Sequence, residues 1–415
     1  MQVHGIRVSR TLEAIDAAPF PVAATPSVTI MHGVAANGGG FLAAGRHTYG
    51  LCWLTPLGFM KHVTADGAVE PAGSGRPVIE TGREITPLGV FSAAGVDVAL
   101  WGEWQDGPKL LAARASRDGT RLDAEPILVQ EEGSVVAASD GARVFLLDRS
   151  AKKEWLLDAA TGAVVSGSVR GDVYAFFDVA WSGHDYVAAG ADFFLDWYKH
   201  GDLLLARFAA DGALSSVTKV ASVSDPTQIR IVVADRQAAI FWLKNEGVYA
   251  VAVDDAGRVT AGPRLLAGGT YPDDIWWLDA VSDGKSILMI SATRRRITLT
   301  LLSAQLDRLD STMLDESSSG FAGGRIDGRW LVSWMGAGGR KMLAFRSLHP
   351  LDGSVVTIGA YSPAPFGILR RPDGTAAAML LGTRERSGTF GPVSGPVVVT
   401  RKIELIPARR RAANP

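Results

Sequence analysis

Turn signals return along this chain at a nearly fixed interval. Asp66-Gly67, Asp118-Gly119, Thr161-Gly162, Asp211-Gly212, Ala256-Gly257, the degenerate Leu306-Asp307 and Asp352-Gly353 cover 286 residues in six steps, a period of about 48. A period of that length marks a stacked repeat architecture. A second family of turns interleaves with the first: Gly38-Gly39, Gly95, Asp140-Gly141, Gly183, Arg236, Asp283-Gly284, Asp327-Gly328 and Asp373-Gly374. Each lies roughly 20 to 30 residues before its partner, enough for two strands and a loop. Every unit therefore holds four strands and two short turns.

The unit is clearest from Lys109 to Gln130, KLLAARASRDGTRLDAEPILVQ. An alternating apolar run, an Asp-Gly turn and a second run closed by Pro126 and Ile127 predict an antiparallel hairpin. Alternation recurs in VDVALW from Val96 to Trp101, VFLL from Val144 to Leu147 and WLVSW from Trp330 to Trp334. Helical periodicity is hard to find anywhere. The fold class is all-β, with units at approximately 28–82, 88–130, 133–172, 173–225, 227–269, 273–316, 319–361 and 364–406.

The termini complete the pattern. RVSR from Arg7 and Asp16-Ala17 with Pro19 match RASR from Arg114 and Asp123-Ala124 with Pro126 at identical spacing. The chain thus begins in mid-unit, with inner strands for that unit at Phe366–Arg371 and Ala376–Gly382. Overlap of the two ends would close a ring and remove free sheet edges. The segment VVVTRKIELI, 397–406, competes with Val3–Val8 for the third strand of this unit and is favoured here, with 12–22 outermost. The chain is accordingly a single domain, 1–415: residues 1–27 supply closing strands of the last unit, 28–361 seven units, 362–406 the last unit and 407–415 a tail.

Arg114, Ser116, Asp118-Gly119 and Asp123 in one unit, and Arg7, Ser9 and Asp16 in another, resemble the repeats of bacterial eight-bladed β-propellers. The similarity is greatest to secreted repeat proteins whose units carry arginine-x-serine, an Asp-Gly turn and an Asp-Ala-Pro-like outer strand. It implies an eight-bladed propeller of four-stranded antiparallel blades and an extracytoplasmic setting for a mature or trimmed form; otherwise the chain belongs in the cytoplasm. It implies no particular reaction, because propellers host lectins, hydrolases, lyases and inert scaffolds alike.

Composition excludes several classes. With 42 basic against 43 acidic residues, the chain has no long-range field for nucleic acid or anionic membrane. No apolar run approaches transmembrane length. One cysteine, Cys52, leaves no disulfide framework and no thiolate metal cluster. No basic start with an apolar core opens residues 1–30. Nucleophile-elbow, zincin, P-loop, C-x-x-C and Ca²⁺-loop motifs are all missing. The Asp-Gly pairs recur at two-strand spacing, as turns do. His32 and His47 are the nearest approach to a zinc pair, and a weak one. No cofactor is expected, and the chain reads as a monomer.

In a four-stranded blade the short first-to-second and third-to-fourth turns share one face, and here these are the Asp-Gly turns. The second-to-third loops and the blade-to-blade crossings lie on the other, and they carry the unusual residues. ADFFLDWYKHGD, 191–202, holds Asp192, Phe193, Phe194, Asp196, Trp197, Tyr198, Lys199 and His200. Rings stacking on an apolar face, with carboxylates and a histidine taking hydroxyls, suit a glycan or small polar ligand. YPDDIWW, 271–277, would set Asp273 and Asp274 at the channel mouth above Trp276 or Trp277, one of which must face a neighbouring blade. Arg294 in RRR 294–296 offers an anion contact. Glu103, Trp104, Lys152, Lys153, Tyr174 and 176–178 ring the same face.

The expected function is a ligand-binding or interaction propeller with one site at the channel mouth. Trp197, Tyr198, His200, Asp273, Trp276 and Arg294 would contact a glycan, a small polar molecule or a protein segment. The alternative is a hydrolase or lyase drawing its acid and base from Asp178, Asp196, His200, Asp273 or Asp274. The two long loops each occur once, which points to one site per molecule.

Overall fold

The computed structural model describes the backbone of residues 2–9, 20–24, 28–36, 40–48, 57–64, 69–70, 79–80, most of 85–359, 366–370 and 376–384. It describes the side chains of most residues between 88 and 355. Every long regular element among them is a strand, paired antiparallel to its neighbours in the sheet. Four strands consecutive in the chain make a sheet: Ile85–Ala93, Val96–Glu103, Lys109–Ala115 and Ile127–Gln130 are one. The same order builds sheets over 135–168, 175–224, 228–268, 277–315 and 319–359. The sheet over 28–80 adds a fifth short strand, Ile79–Glu80, against Leu57–Thr64. No helix among the described residues is long and apolar enough to cross a membrane.

One sheet takes strands from both ends of the chain, in the order Phe20–Ala24, Gln2–Ser9, Ala376–Arg384 and Phe366–Arg370. This corrects the expectation that 397–406 stands third in that sheet. Gln2–Ser9 occupies the position, pairing without a bulge from Gln2 opposite Arg384 to Ser9 opposite Ala377. Both segments alternate, and alternation alone cannot rank two candidates for one ladder. Residues 397–406 lie outside the described residues.

The hairpin at 109–130 is also looser than its sequence suggests. Lys109–Ala115 pairs with Ile127–Gln130 through a bulge, while 120–126 makes only the isolated bridge from Ala115 to Arg121. The detour exists because Asp123 folds back onto Arg114: its carboxylate accepts from the Arg114 backbone N–H at 2.9 Å and from Nη2 at 2.6 Å. Asp118-Gly119 itself lies outside the described residues. The tight turns with both central residues at positive φ are elsewhere, at Ala94-Gly95 (52° and 73°) and Asp235-Arg236 (46° and 62°).

Two-residue periodicity places the core. Alternate side chains of a strand leave opposite faces of the sheet, so each sheet packs on both of its neighbours. Val187, Leu203 and Leu205 of the 175–224 sheet thus bury against Ile240, Trp242 and Val251 of the 228–268 sheet. On the other face of 175–224, Tyr186, Phe208 and Phe176 meet Phe145 and Leu147 of 135–168. The Phe145 and Tyr186 rings stack at 4.5 Å.

Polar links between sheets reach about one repeat along the chain. Arg114 Nη1 donates to Ala159 O at 3.0 Å and Ala160 O at 2.6 Å, in the last turn of the next sheet. Arg207 Nη1 pairs with Asp185 at 2.8 Å while its Nη2 donates to Asp254 O at 2.7 Å, again one sheet on. Arg264 Nη2 repeats the link to Gln305 O at 3.0 Å. At the inner edge, the Gln228 carboxamide donates to Trp276 O at 3.2 Å and accepts from Leu278 N–H at 2.8 Å. The first strands of consecutive sheets are therefore mutual neighbours from Val135–Ser139 to Ser319–Ile326.

Candidate functional site

Along these first strands, one level is unlike the rest. Counting residue pairs from the end that carries the second-to-third loops, Asp178 lies opposite Ala189, Arg230 opposite Phe241 and Asp279 opposite Ile290. Each is the third pair of its own sheet. At the same pair the remaining first strands carry Ile30, Pro87, Ala137, Gly323 and Ile368. Three consecutive sheets thus present Asp, Arg and Asp in a row, at a pair where the other five first strands carry no charge.

Local sequence explains how each residue is set. The register slips between Phe176 and Asp178, so Phe177 is an extra residue that re-aims the strand beyond it. Asp178 Oδ1 then accepts from Val179 N–H and Oδ2 from Ile231 N–H of the next sheet, both at 3.0 Å. Asp279 Oδ1 accepts from Ala280 N–H at 2.9 Å. Arg230 directs Nη1 to Ile229 O at 3.1 Å, and its Nε stands 3.9 Å from Asp279 Oδ1. Arg149 joins from the preceding sheet: it comes directly after strand Arg143–Asp148, and its carbonyl accepts from Phe176 N–H at 3.0 Å.

The electrostatics arise from crowding. Burial lifts the Asp178 carboxyl above its usual value, against the Ile231 N–H, Arg230, the Val179 N–H and Arg149, which all favour the anion. Burial likewise raises Asp279 to about 6, with Arg230 and the Ala280 N–H opposing and Asp178 adding to the rise. The Arg149 guanidinium is pulled below its normal value by burial and by its like-charged neighbour Arg230, with Asp178 acting the other way. Side-chain exposures of 37% for Arg230 and 24% for Asp279 leave this pair reachable by solute. Two carboxyls and two guanidinia here sense one another.

The residues expected at the site divide three ways. Asp178 is in the arc. Trp276 is close to it in the chain and 38% exposed, set edge-on to Trp277 at 6.0 Å, with its carbonyl held by Gln228. Trp277 turns to the neighbouring sheet, 5.9 Å from Phe321, as alternation requires of one member of the pair. Asp274 is exposed just before the strand. His200 is exposed at the head of the third strand His200–Phe208, opposite Ser224 and two strands out from the inner edge. Arg294 is exposed in a turn closed by Thr293 N–H on Arg296 O at 2.9 Å.

Asp196, Trp197, Tyr198 and Asp273 lie outside the described residues, as do Trp104, Lys152 and Tyr174. The residues that flank 193–199 are described: Asp202 N–H donates to Asp192 Oδ1 at 2.7 Å, and Lys219 Nζ pairs with Asp202 at 2.8 Å. Phe176 is fully buried core, and Glu103 is buried, accepting from Trp101 Nε1 at 3.2 Å. Among the described residues no His, Cys, Asp or Glu cluster could hold a metal ion.

Arg149, Arg230 and Asp279 were not among the expected residues. The available signal was the repeat: 178, 230 and 279 are 52 and 49 residues apart (230 − 178 and 279 − 230), about one period each. Applying the period to charged strand residues as well as to turns would have aligned them.

Comparison with solved structures places this geometry in a known class, the β-propeller. The C-terminal WD40 domain of Sif2 superposes with a TM-score of 0.51 at 11% identity, over 86% of this chain and 98% of that one. Prolyl oligopeptidase B from Galerina marginata gives 0.51 at 11% identity, over 88% of this chain and 57% of that one. At such identities the likeness is one of fold alone. No family model matches the chain, and no curated protein matches it.

Proposed function

We propose that this chain is an eight-bladed, ring-closed propeller that binds one small polar ligand, a glycan among the candidates, at the channel mouth on the second-to-third-loop face. Ring closure is supported by contacts of Phe366–Arg370 with Ser319–Ile326 on one side and Val28–Ala36 on the other. The pairing of Gln2–Ser9 with Ala376–Arg384 supports it again. The observation that carries the site is the Asp178–Arg230–Asp279 arc, placed at one level on three consecutive first strands. Partly buried charges that pair loosely are a costly arrangement for a scaffold and a useful one for a ligand site.

On this reading Trp276 supplies a stacking surface at the rim and the arc supplies the polar floor, with Trp197, Tyr198, His200, Asp273 and Arg294 as further candidate contacts. The test is a thermal-shift screen of glycans and small polar molecules, followed by calorimetry on variants. Trp276→Ala should weaken binding by on the order of 2 kcal/mol. Asp211→Ala, on the short-turn face, should leave it unchanged. Equal effects of the two variants contradict the reading.

The hydrolase or lyase alternative keeps one specific support. Asp279, with its carboxyl raised to about 6, is poised to exchange a proton near neutrality. A bound ligand that is converted by wild type, and bound but not converted by Asp279→Asn, would establish it.

A further inference from the structure

Hydrogen-bond commitments separate the acids of the arc from its bases. Both oxygens of Asp178 are engaged by backbone N–H groups, and one oxygen of Asp279 is engaged in the same way. An ionised carboxylate is an acceptor only, so neither acid can donate to an oxygen atom of a ligand. The guanidinia differ. Arg230 spends Nη1 on Ile229 O and turns Nε toward Asp279, which leaves the Nη2 donors without a partner among the described residues. Arg149, exposed at the mouth, makes no side-chain hydrogen bond among the described residues, though Asp178 and Arg230 both act on it. Arg149 O accepts from Phe176 N–H, and Asp178 Oδ2 accepts from Ile231 N–H beside Arg230, so the two arginines flank the 175–224 sheet at one edge and their uncommitted donors present a fork for oxygen atoms of opposite charge.

We propose that the anchoring group of the ligand is an oxyanion, a carboxylate or a phosphate, received between the Arg149 and Arg230 guanidinia with Asp178 and Asp279 holding Arg230 in place. This rests on the channel-mouth reading above and narrows its ligand class. An anion there would relieve the repulsion between the two arginines, whereas a cation would have to compete with backbone donors for the carboxylates.

The test is calorimetric titration of the full chain with citrate and, separately, inorganic phosphate, at constant ionic strength. Binding of one equivalent is expected, with Kd on the order of 1 mM or tighter for at least one probe. Arg149→Gln, which keeps a side chain of similar reach and removes the charge, should weaken it about tenfold or more while the urea midpoint stays near that of wild type. Arg230→Lys should retain part of the affinity that Arg230→Gln loses. Citrate binding alone assigns a carboxylate ligand, and phosphate binding alone a phosphate one. Titrations in which neither probe binds, or in which Arg149→Gln and Arg230→Gln bind as wild type, overturn the proposal. If a neutral glycan is bound meanwhile, loses affinity in Trp276→Ala and is not displaced by either anion, the oxyanion inference fails while the channel-mouth reading stands.

Discussion

Arg114 and Arg230 each stand beside an aspartate, Arg114 within its own sheet and Arg230 across to the next, and they are used in opposite ways. Arg114 is closed: Asp123 takes Nε and Nη2, Ala159 and Ala160 take Nη1, and the pair is 8% and 10% exposed. Arg230 is open: its nearest carboxylate oxygen is 3.9 Å away and the pair is 37% and 24% exposed. The first arrangement ties one blade to the next. The second leaves donors and a displaced carboxyl pKa where solute can reach them. The two pairs differ in how many of their donors are already spent, and only the second has donors left for a ligand.

The largest expected effect is on the closed pair. Asp123→Ala strips the Arg114 guanidinium of its carboxylate inside the stack and should cost about 3–5 kcal/mol of stability. Urea unfolding at neutral pH measures it; a loss below about 1 kcal/mol would place that clasp with ordinary surface pairs.

The next effect belongs to Asp279 and depends on pH. Its carboxyl is raised from 3.8 to about 6 in the folded protein, so the folded state binds more protons than the unfolded one between those values. Stability therefore falls as pH climbs from about 4 to about 6 and stays reduced above that. Asp279→Asn should match wild type near pH 4 and exceed it at pH 8, by up to about 3 kcal/mol. Asp178, raised for the same reason, leaves part of the slope in place. A variant that is less stable than wild type at pH 8 would mean that the ionised carboxylate holds the inner edge together.

Anion affinity should track the same proton. Protonating Asp279 removes one negative charge beside Arg230, so an oxyanion whose own charge is constant over the range, such as oxalate, should bind severalfold more tightly at pH 5.5 than at pH 8. Asp279→Asn should flatten that profile. Trp276→Ala marks the small end: the ring is part-exposed, and its loss should shift stability by no more than about 0.5 kcal/mol while still weakening ligand binding.

Much of the fold was legible because its causes are local. Strand alternation and turns such as Asp140-Gly141, where Asp140 Oδ1 accepts from two backbone N–H groups, are written within a few residues. The four-stranded unit and the borrowing of an N-terminal strand came from them. Which segment stands third beside Ala376–Arg384 did not, because two alternating runs suit that edge equally. The site was half legible. Asp178 and Trp276 could be named as ionisable and aromatic residues close to blade crossings. Arg230 in RIVVA and Asp279 in LDAVS read as ordinary strand charges. They become neighbours only through register across three sheets and one extra residue at Phe177, and neither leaves a local signature.

The comparison between the two arginines can be measured directly by unfolding Arg114→Gln and Arg230→Gln side by side in urea at pH 5, where Asp279 is largely protonated. Arg114→Gln should lose about 3–5 kcal/mol, because Asp123 loses its guanidinium partner and two carbonyls lose their donor. Arg230→Gln should lose about 1 kcal/mol or less, because its partner has already given up its charge. Equal losses, or a larger loss for Arg230→Gln, would mean that the inner arc is a structural clasp like the outer one, and would remove the basis for a ligand site there.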